Sequence, residues 1–114
     1  MKIIESAQKA LSDEIEGLSL LKEFFNSDFE KAVNAIFNSK GKVVVTGVGK
    51  SGHIGRKISA TLSSTGTPSY FIHPTEASHG DMGMIEEKDI ILAISWSGET
   101  TELGNIVKYA LENK

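Results

Sequence analysis

Cysteine is absent from the 114 residues. No disulfide framework, thiolate nucleophile or cysteine-based zinc site is therefore available. A basic excess is absent too: 12 Lys and Arg stand against 15 Asp and Glu, a formal net charge of -3. A nucleic-acid binder would show the opposite balance. An anionic small molecule remains open, because one lysine or one helix N-terminus can hold a phosphate against a weak overall field. No apolar run, Ile90 to Ile94 included, approaches the roughly 20 residues of a membrane span. Met1-Lys2-Ile3-Ile4-Glu5-Ser6 puts an acid early, and no apolar signal block follows it. The expectation is a cytoplasmic protein with no nucleic-acid or membrane partner. The length allows one domain, and 39% hydrophobic with 24% charged residues allows an ordinary core.

What is present is periodic. Ile4, Ala7, Leu11, Ile15, Leu18 and Leu21 recur at steps of three and four, one face of an α-helix. Gly17 sits inside that pattern at a cost of about 1 kcal/mol relative to Ala. Asn26-Ser27-Asp28 breaks it, and Ser27 followed by Glu30 fits a capping box that opens a second helix. Phe29, Val33, Ile36 and Phe37 are the expected buried stripe of that helix. From Lys42 the character changes. Val43-Val44-Val45 suits a strand buried on both faces of a parallel sheet. A glycine-rich turn follows, then a helical pattern at Ile54, Ile58 and Leu62 that closes near Gly66. Ser69 to Ile72 reads as a second strand, with Pro74 ending it. His73 to Asp81 reads as a loop rich in functional side chains. Asp89 to Ile94 is a third strand, and Leu103, Ile106, Val107, Ala110 and Leu111 mark a final amphipathic helix. This alternation predicts an open α/β sheet. The common doubly wound order 2-1-3 would set the first and third strands side by side, with their carboxyl ends at the switch point where ligands bind. The third strand is as apolar as the first and should have neighbours on both sides. The chain therefore reads as the front part of a longer domain, with a helical segment at 1–40 and the first part of the α/β core at 41–114.

Two loops carry the chemistry. Gly47-x-Gly49-x-x-Gly52 follows a strand and opens a helix, the spacing of the dinucleotide fingerprint. That fingerprint also needs an acid at the end of the second strand, and none lies around Tyr70 to Pro74. A nicotinamide site is disfavoured, and no cofactor is expected. A nucleotide P-loop fails as well, because its leading glycine would fall at Val44. The physics beneath both motifs survives. Glycines expose backbone N–H groups, the helix N-terminus adds partial positive charge, Ser51 adds a hydroxyl and Lys50 a full charge. Such a loop suits a phosphate, although glycine clusters also make plain turns. The second loop, Ser95-Trp96-Ser97-Gly98-Glu99-Thr100, again joins strand to helix. One of its hydroxyls would be an ordinary N-cap. Three within six residues make a second oxyanion cradle.

Gly47-Val48-Gly49-Lys50-Ser51-Gly52, then His79-Gly80-Asp81, then Ser95-Trp96-Ser97-Gly98-Glu99-Thr100 together resemble the sugar isomerase (SIS) domain. Within it the Gly-Lys-Ser-Gly-His run ending at His53 and the stretch Glu76-Ala77-Ser78-His79-Gly80-Asp81 are similar to the arabinose-5-phosphate isomerase family. The resemblance runs from the first helix onward and covers about the first three-fifths of the family's SIS domain. It implies a parallel-sheet, three-layer, flavodoxin-like α/β fold, here about three strands with two N-terminal helices. It also implies that the family's later glutamate and histidine and its paired CBS modules have no counterpart here. By the same resemblance, phosphate binding falls to Gly49, Ser51, Ser95, Ser97 and Thr100, and catalytic work to Lys50, His79 and Glu102. Trp96 departs from the small polar residue of many relatives, and either covers the pocket mouth or packs against a partner.

The reaction so implied is the interconversion of D-arabinose 5-phosphate and D-ribulose 5-phosphate, which feeds Kdo and lipopolysaccharide precursors. It needs a phosphate anchor, a base to move a proton between C1 and C2, and a donor for the developing oxyanion. The alternative is a non-catalytic sugar-phosphate sensor or a degenerate fragment that retains the anchor. His53, in the first turn of its helix, is expected to be structural, and His73 is either surface or pocket. A metal held by His73, His79 and Asp81 matches no standard spacing, so no metal is expected, with His79 the weak candidate. The expected partners are a sugar-phosphate substrate and further copies of the chain, as a dimer or tetramer.

Overall fold

The structure, a computed structural model, describes residues 2–98 and 101–112. It divides into two compact units, Met1–Phe37 and Asn38–Lys114. The first unit is helical. Helix α1 spans Ile3–Leu20 and tightens into a 3-10 turn at Leu21–Phe24; helix α2 begins at Ser27 and ends at Asn38. The cap of α2 lies one residue earlier than the capping box predicts. Asn26 Oδ1 accepts the N–H groups of Asp28 (3.0 Å) and Phe29 (3.2 Å), so an Asx side chain satisfies two of the helix's orphan donors. The apolar stripes are on the helices, but neither helix has a buried residue. Phe29 and Val33, expected to be buried, are about half exposed, and Phe37 is 84% exposed. Periodicity reports a face suited to contact; it does not report what covers that face. The rings of Phe25 and Phe29 tilt against each other with centroids 4.9 Å apart.

The second unit is the α/β layer structure. Strand β1 is Val43–Thr46, β2 is Ser69–Phe71 and β3 is Ile90–Ala93. They form a parallel sheet in the order β2-β1-β3, as the strand pattern predicts. Val44 stands opposite Tyr70 on one side and Ile91 on the other. All four residues of β1 are buried, as a central strand requires, whereas β3 is only partly buried and pairs on one edge. Asp89, expected to open β3, instead ties its entry down. Its carboxylate accepts the backbone N–H groups of Lys42 and Glu86, each at 2.8 Å.

Alternation along the strands separates two faces. Helix α3, Gly49–Ser64, covers the face of Val45 and Phe71. The helical pattern at Ile54, Ile58 and Leu62 is present, but these are not the fully buried residues: Ile58 and Leu62 are half-buried. Ile54 is 54% exposed, and the buried residues of α3 are Gly52, Gly55 and Ser59. The reason is spacing between layers. A Cβ on Gly55 would lie 3.0 Å from the Phe71 ring and 3.1 Å from Val45, so α3 sits too close to the sheet for large side chains. Ser69 Oγ bridges the layers, reaching Ser59 Oγ at 3.0 Å and the Val43 carbonyl at 2.7 Å.

The opposite face carries the main core: Val44, Ile72, Ala77, Ile85 and Ile106, with Tyr70, Met82, Ile91 and Tyr109 packed against it. Two helices supply that cover. Helix α4, Pro74–Ser78, lies within the stretch expected to be loop, and helix α5, Gly104–Glu112, follows a 3-10 turn at Thr101–Leu103. Helix α4 forms because Pro74 takes its first position, where a missing N–H costs nothing. His73 Nδ1 accepts the N–H of Thr75 at 3.1 Å as its cap. This assigns His73 a structural role.

Tyr70 gives the second unit a titratable marker. Its hydroxyl donates to the Met84 carbonyl at 3.0 Å. Burial first, then the negative charges of Asp89 and Glu86, raise its phenol above the usual 10.0. Above that value the folded chain holds this proton more tightly than the unfolded chain does, so the stabilisation is complete below about pH 10 and is lost as pH rises further. Urea unfolding between pH 9 and about 11.5 should show a steeper fall for the wild type than for Tyr70→Phe; equal slopes would remove Tyr70 as the cause.

Candidate functional site

The site grows from the carboxyl ends of β1 and β3. The Ile94 N–H donates to the Thr46 carbonyl at 2.9 Å, which holds the start of the Ser95 loop beside the end of β1. Gly47, next along, touches both loops. A Cβ placed there would lie 3.1 Å from the Ile94 carbonyl oxygen and 3.1 Å from the backbone of Ser51. The two hydroxyl-bearing loops thus leave the sheet side by side, as the 2-1-3 order predicts.

Helix α3 begins in this corner. Its N-cap, Val48, offers no side-chain bond, and no acid occupies its first turn. The first N–H groups of a helix have no intrahelical acceptor and carry partial positive charge. Gly49 opens the helix at φ +58, a left-handed conformation that costs other residues about 1 kcal/mol or more. Gly52 is held by distance: a Cβ there would lie 2.8 Å from the Gly47 carbonyl oxygen. Lys50 is exposed on this first turn and Ser51 is half-buried. Uncapped N–H groups, a hydroxyl and a cation in one turn form an arrangement that can hold an oxyanion.

In the second loop Ser95 is half-buried and its Oγ accepts the N–H of Gly98 at 3.0 Å. Ser97 is exposed beside it. Thr100, with Glu99, lies outside the described residues. Trp96 is 100% exposed, so it covers no pocket among the described residues. Glu102 falls in the 3-10 turn Thr101–Leu103, ahead of α5, and is exposed. His79 is the exposed C-cap of α4. The segments bearing His79 and Glu102 are tied together by Asn105 Nδ2, which donates to Ser78 Oγ at 3.0 Å. Nothing in the residue pattern flags that tie. His53 is exposed on α3. Among the described residues no three His, Asp or Glu side chains gather to hold a metal, so His73, His79 and Asp81 do not form one.

A hollow beside the second loop is lined at one end by Ser95, Gly98 and Thr101 and otherwise mainly by α5, with Ala93 of β3, and none of Gly49 to Ser51 is at its wall. A second hollow lies around Ile85, Asp89 and Tyr109 and contains no residue expected at the site. The glycine turn at Gly49 to Ser51 thus lies outside both hollows, and among the described residues Ser95 is the one expected site residue that lines the first.

One further residue lies in the corner, and no motif points to it. Thr46, the last residue of β1, is fully buried, and its hydroxyl has no hydrogen-bond partner among the described residues. A buried hydroxyl left unpaired costs about 1–3 kcal/mol. The only hint in the sequence is a single polar residue at the end of Val43-Val44-Val45.

The fold is that of an α/β protein with two hydroxyl-bearing strand-to-helix turns at the carboxyl edge of a parallel sheet. Residues 35–114 match the family model of the SIS domain, and the chain belongs to the SIS-domain family. It is 55% identical over 103 residues to the arabinose 5-phosphate isomerase KdsD of Yersinia pestis, covering 90% of this chain and 31% of that one. It is 51% identical over 112 residues to the arabinose 5-phosphate isomerase GutQ of Escherichia coli K12, covering 98% and 35%. The chain spans about a third of the length of these relatives. Among solved structures, an E. coli CFT073 protein in complex with arabinose 5-phosphate superposes with a TM-score of 0.89 at 39% identity, covering 97% of this chain and 59% of that one. A Listeria monocytogenes structure superposes with a TM-score of 0.91 at 29% identity, again with 59% of that chain covered. No helix among the described residues is long and apolar enough to cross a membrane.

Gly52→Ala tests the corner's geometry. Helix propensity alone would favour alanine by about 1 kcal/mol, but the new Cβ meets a backbone carbonyl. Overpacking of this kind costs about 1–3 kcal/mol, so urea unfolding should give a net loss. A gain would show that the Gly47 carbonyl moves aside freely.

Proposed function

We propose that this chain is part of a sugar-phosphate aldose–ketose isomerase that interconverts D-arabinose 5-phosphate and D-ribulose 5-phosphate. The observation that carries the reading is the meeting of two hydroxyl-bearing strand-to-helix turns at Gly47, in a chain half identical to relatives named for that activity. Gly49, Ser51, Ser95, Ser97 and Thr100 hold the phosphate, with the first N–H groups of α3. Lys50 serves the sugar oxygens or the phosphate. In the open-chain aldose a base removes the C2 proton as the C1 oxygen gains one, which gives an enediol. C1 then takes a proton as the C2 oxygen loses its own, which gives the ketose. His79 and Glu102 share the acid–base and ring-opening work, supported by the Ser78–Asn105 tie between their segments.

A non-catalytic sugar-phosphate module is the second reading. It is favoured by the exposure of Lys50, His79 and Glu102, since efficient proton transfer calls for groups fixed on the reacting carbons. A phosphate anchor binds ground state and transition state alike, and such uniform binding leaves the chemical step unaccelerated.

The protein also assembles with copies of itself, with α1 and α2 in the interface. Phe24, at 71% exposure, and Phe37, at 84%, support this, because apolar surface of that extent marks an interaction face. Light scattering at micromolar concentration should report a dimer or larger, and a clean monomer would contradict the assembly.

Calorimetry with arabinose 5-phosphate, run beside a coupled turnover assay, tests the function. The 114-residue chain should bind the sugar phosphate while turning it over near background. Ser97→Ala should weaken binding by about 1–3 kcal/mol, the loss of a hydrogen bond to a charged group. Absence of binding would defeat the sugar-phosphate reading, and full turnover would defeat the division between anchor and chemistry.

A further inference from the structure

Helix α4 is five residues long, too short to be stable through its own backbone pairing. Its position is set from outside. Pro74 and Ala77 are buried, and Ala77 shares the main core with Ile106 of α5. Apolar packing of that kind has no direction. It holds α4 against α5 without fixing where one stands along the other. A directional contact lies next to each of those two core residues. Ser78, which follows Ala77, donates from Oγ to the Pro74 carbonyl at 3.2 Å. The same Oγ accepts from Nδ2 of Asn105, the residue before Ile106, at 3.0 Å. Both residues are exposed, and a hydrogen bond exchanged with water contributes little net stability. What the bond does fix is the placement of the residues beside it. His79 follows Ser78 as the C-cap of α4, its N–H donating to the Glu76 carbonyl at 3.0 Å. Glu102 lies three residues before Asn105.

We infer that Asn105 is a positioning residue for the sugar end of the site: through Ser78 it fixes His79 relative to Glu102, so that both meet one sugar. The inference rests on the reading of His79 and Glu102 as the acid–base groups and names a residue on which their spacing depends. Asn105 touches no substrate. The glycine turn at Gly49 to Ser51 belongs to α3, on the other face of the sheet from α4 and α5. Loss of the bond therefore leaves the phosphate end alone, and recognition of sugar and of phosphate respond separately.

Calorimetry of the 114-residue chain with arabinose 5-phosphate and with inorganic phosphate, run beside thermal unfolding, separates the outcomes. Asn105→Leu, similar in size and without a donor, should bind arabinose 5-phosphate roughly 3- to 10-fold more weakly, the range expected for one hydrogen bond. It should bind inorganic phosphate as the wild type does. Ser78→Ala should show the same selective loss, and Ser78→Thr, which keeps the hydroxyl, should retain the wild-type affinity. The double variant Ser78→Ala/Asn105→Leu should be no weaker than either single one, since both remove the same bond. Melting temperatures should stay near that of the wild type. Undiminished affinity for arabinose 5-phosphate in Asn105→Leu would overturn the inference while leaving the sugar-phosphate reading intact. Equal losses for both ligands, or a loss that accompanies a lower melting temperature, would overturn it too, by showing that the bond is a structural prop. A wild type that binds inorganic phosphate as tightly as arabinose 5-phosphate would show that nothing grips the sugar, and would remove the inference. A wild type that binds neither ligand would remove the underlying reading and this inference with it.

Discussion

Everything at the carboxyl edge depends on β1 being paired on both sides. The strand is only four residues long, but the ladder continues past it. Ile72 donates to the Val45 carbonyl and Ile94 to the Thr46 carbonyl, each at 2.9 Å. Those two bonds fix the exits of β2 and β3 relative to the glycine turn. Register in a parallel sheet is intolerant of slippage, because a shift of one residue exchanges the faces of every side chain. Val44 would leave the core around Ile106 and Val45 would take its place. The meeting of the two hydroxyl loops is thus a consequence of strand pairing and is settled before either loop makes a contact of its own.

The second constraint is closeness. Helix α3 approaches the sheet through Gly52, Gly55 and Ser59, and the same run of small residues starts at the glycine turn. The residues that let the helix lie close also bring its N-terminus down to the level of the loops. Packing and the proposed anion site therefore share residues here. Arg56, on the same helix, lays its guanidinium 4.3 Å from the centre of the Phe71 ring. A planar cation on that ring's face adds an attraction that a smaller helix side chain would lack.

The α/β class, the strand order and the place of both loops are legible in the sequence because they rest on strong local signals: a β-branched run, glycine spacing and clustered hydroxyls. The departures have a common origin. Ile54, Ile58 and Leu62 look like the fully buried face of α3, since apolar residues usually are, but the interlayer distance selects for small volume, which a hydropathy pattern does not register. Phe29, Val33 and Phe37 have the right periodicity and are exposed, because a stripe carries no information about its cover. Helix α4 escapes the pattern because five residues are too few for a period, although Pro74 is a helix-opening residue as well as a strand-ending one. Asn26 and Ser27 are both good caps, and only the fold chooses between them. Thr46 leaves only the faintest trace in the sequence: whether a hydroxyl is paired is a property of its three-dimensional surroundings.

Trp96 is the only tryptophan in the chain, and its side chain is entirely in water. Burying an indole of this size would stabilise a fold by several kcal/mol at about 25 cal/mol per Å2, and this fold draws none of it. The indole also stands between Ser95 and Ser97. The chain's tryptophan fluorescence therefore comes from a single point, on the second hydroxyl-bearing loop. Whatever shields that ring from solvent, be it a ligand or another protein surface, will register as a blue shift with no other tryptophan to obscure it.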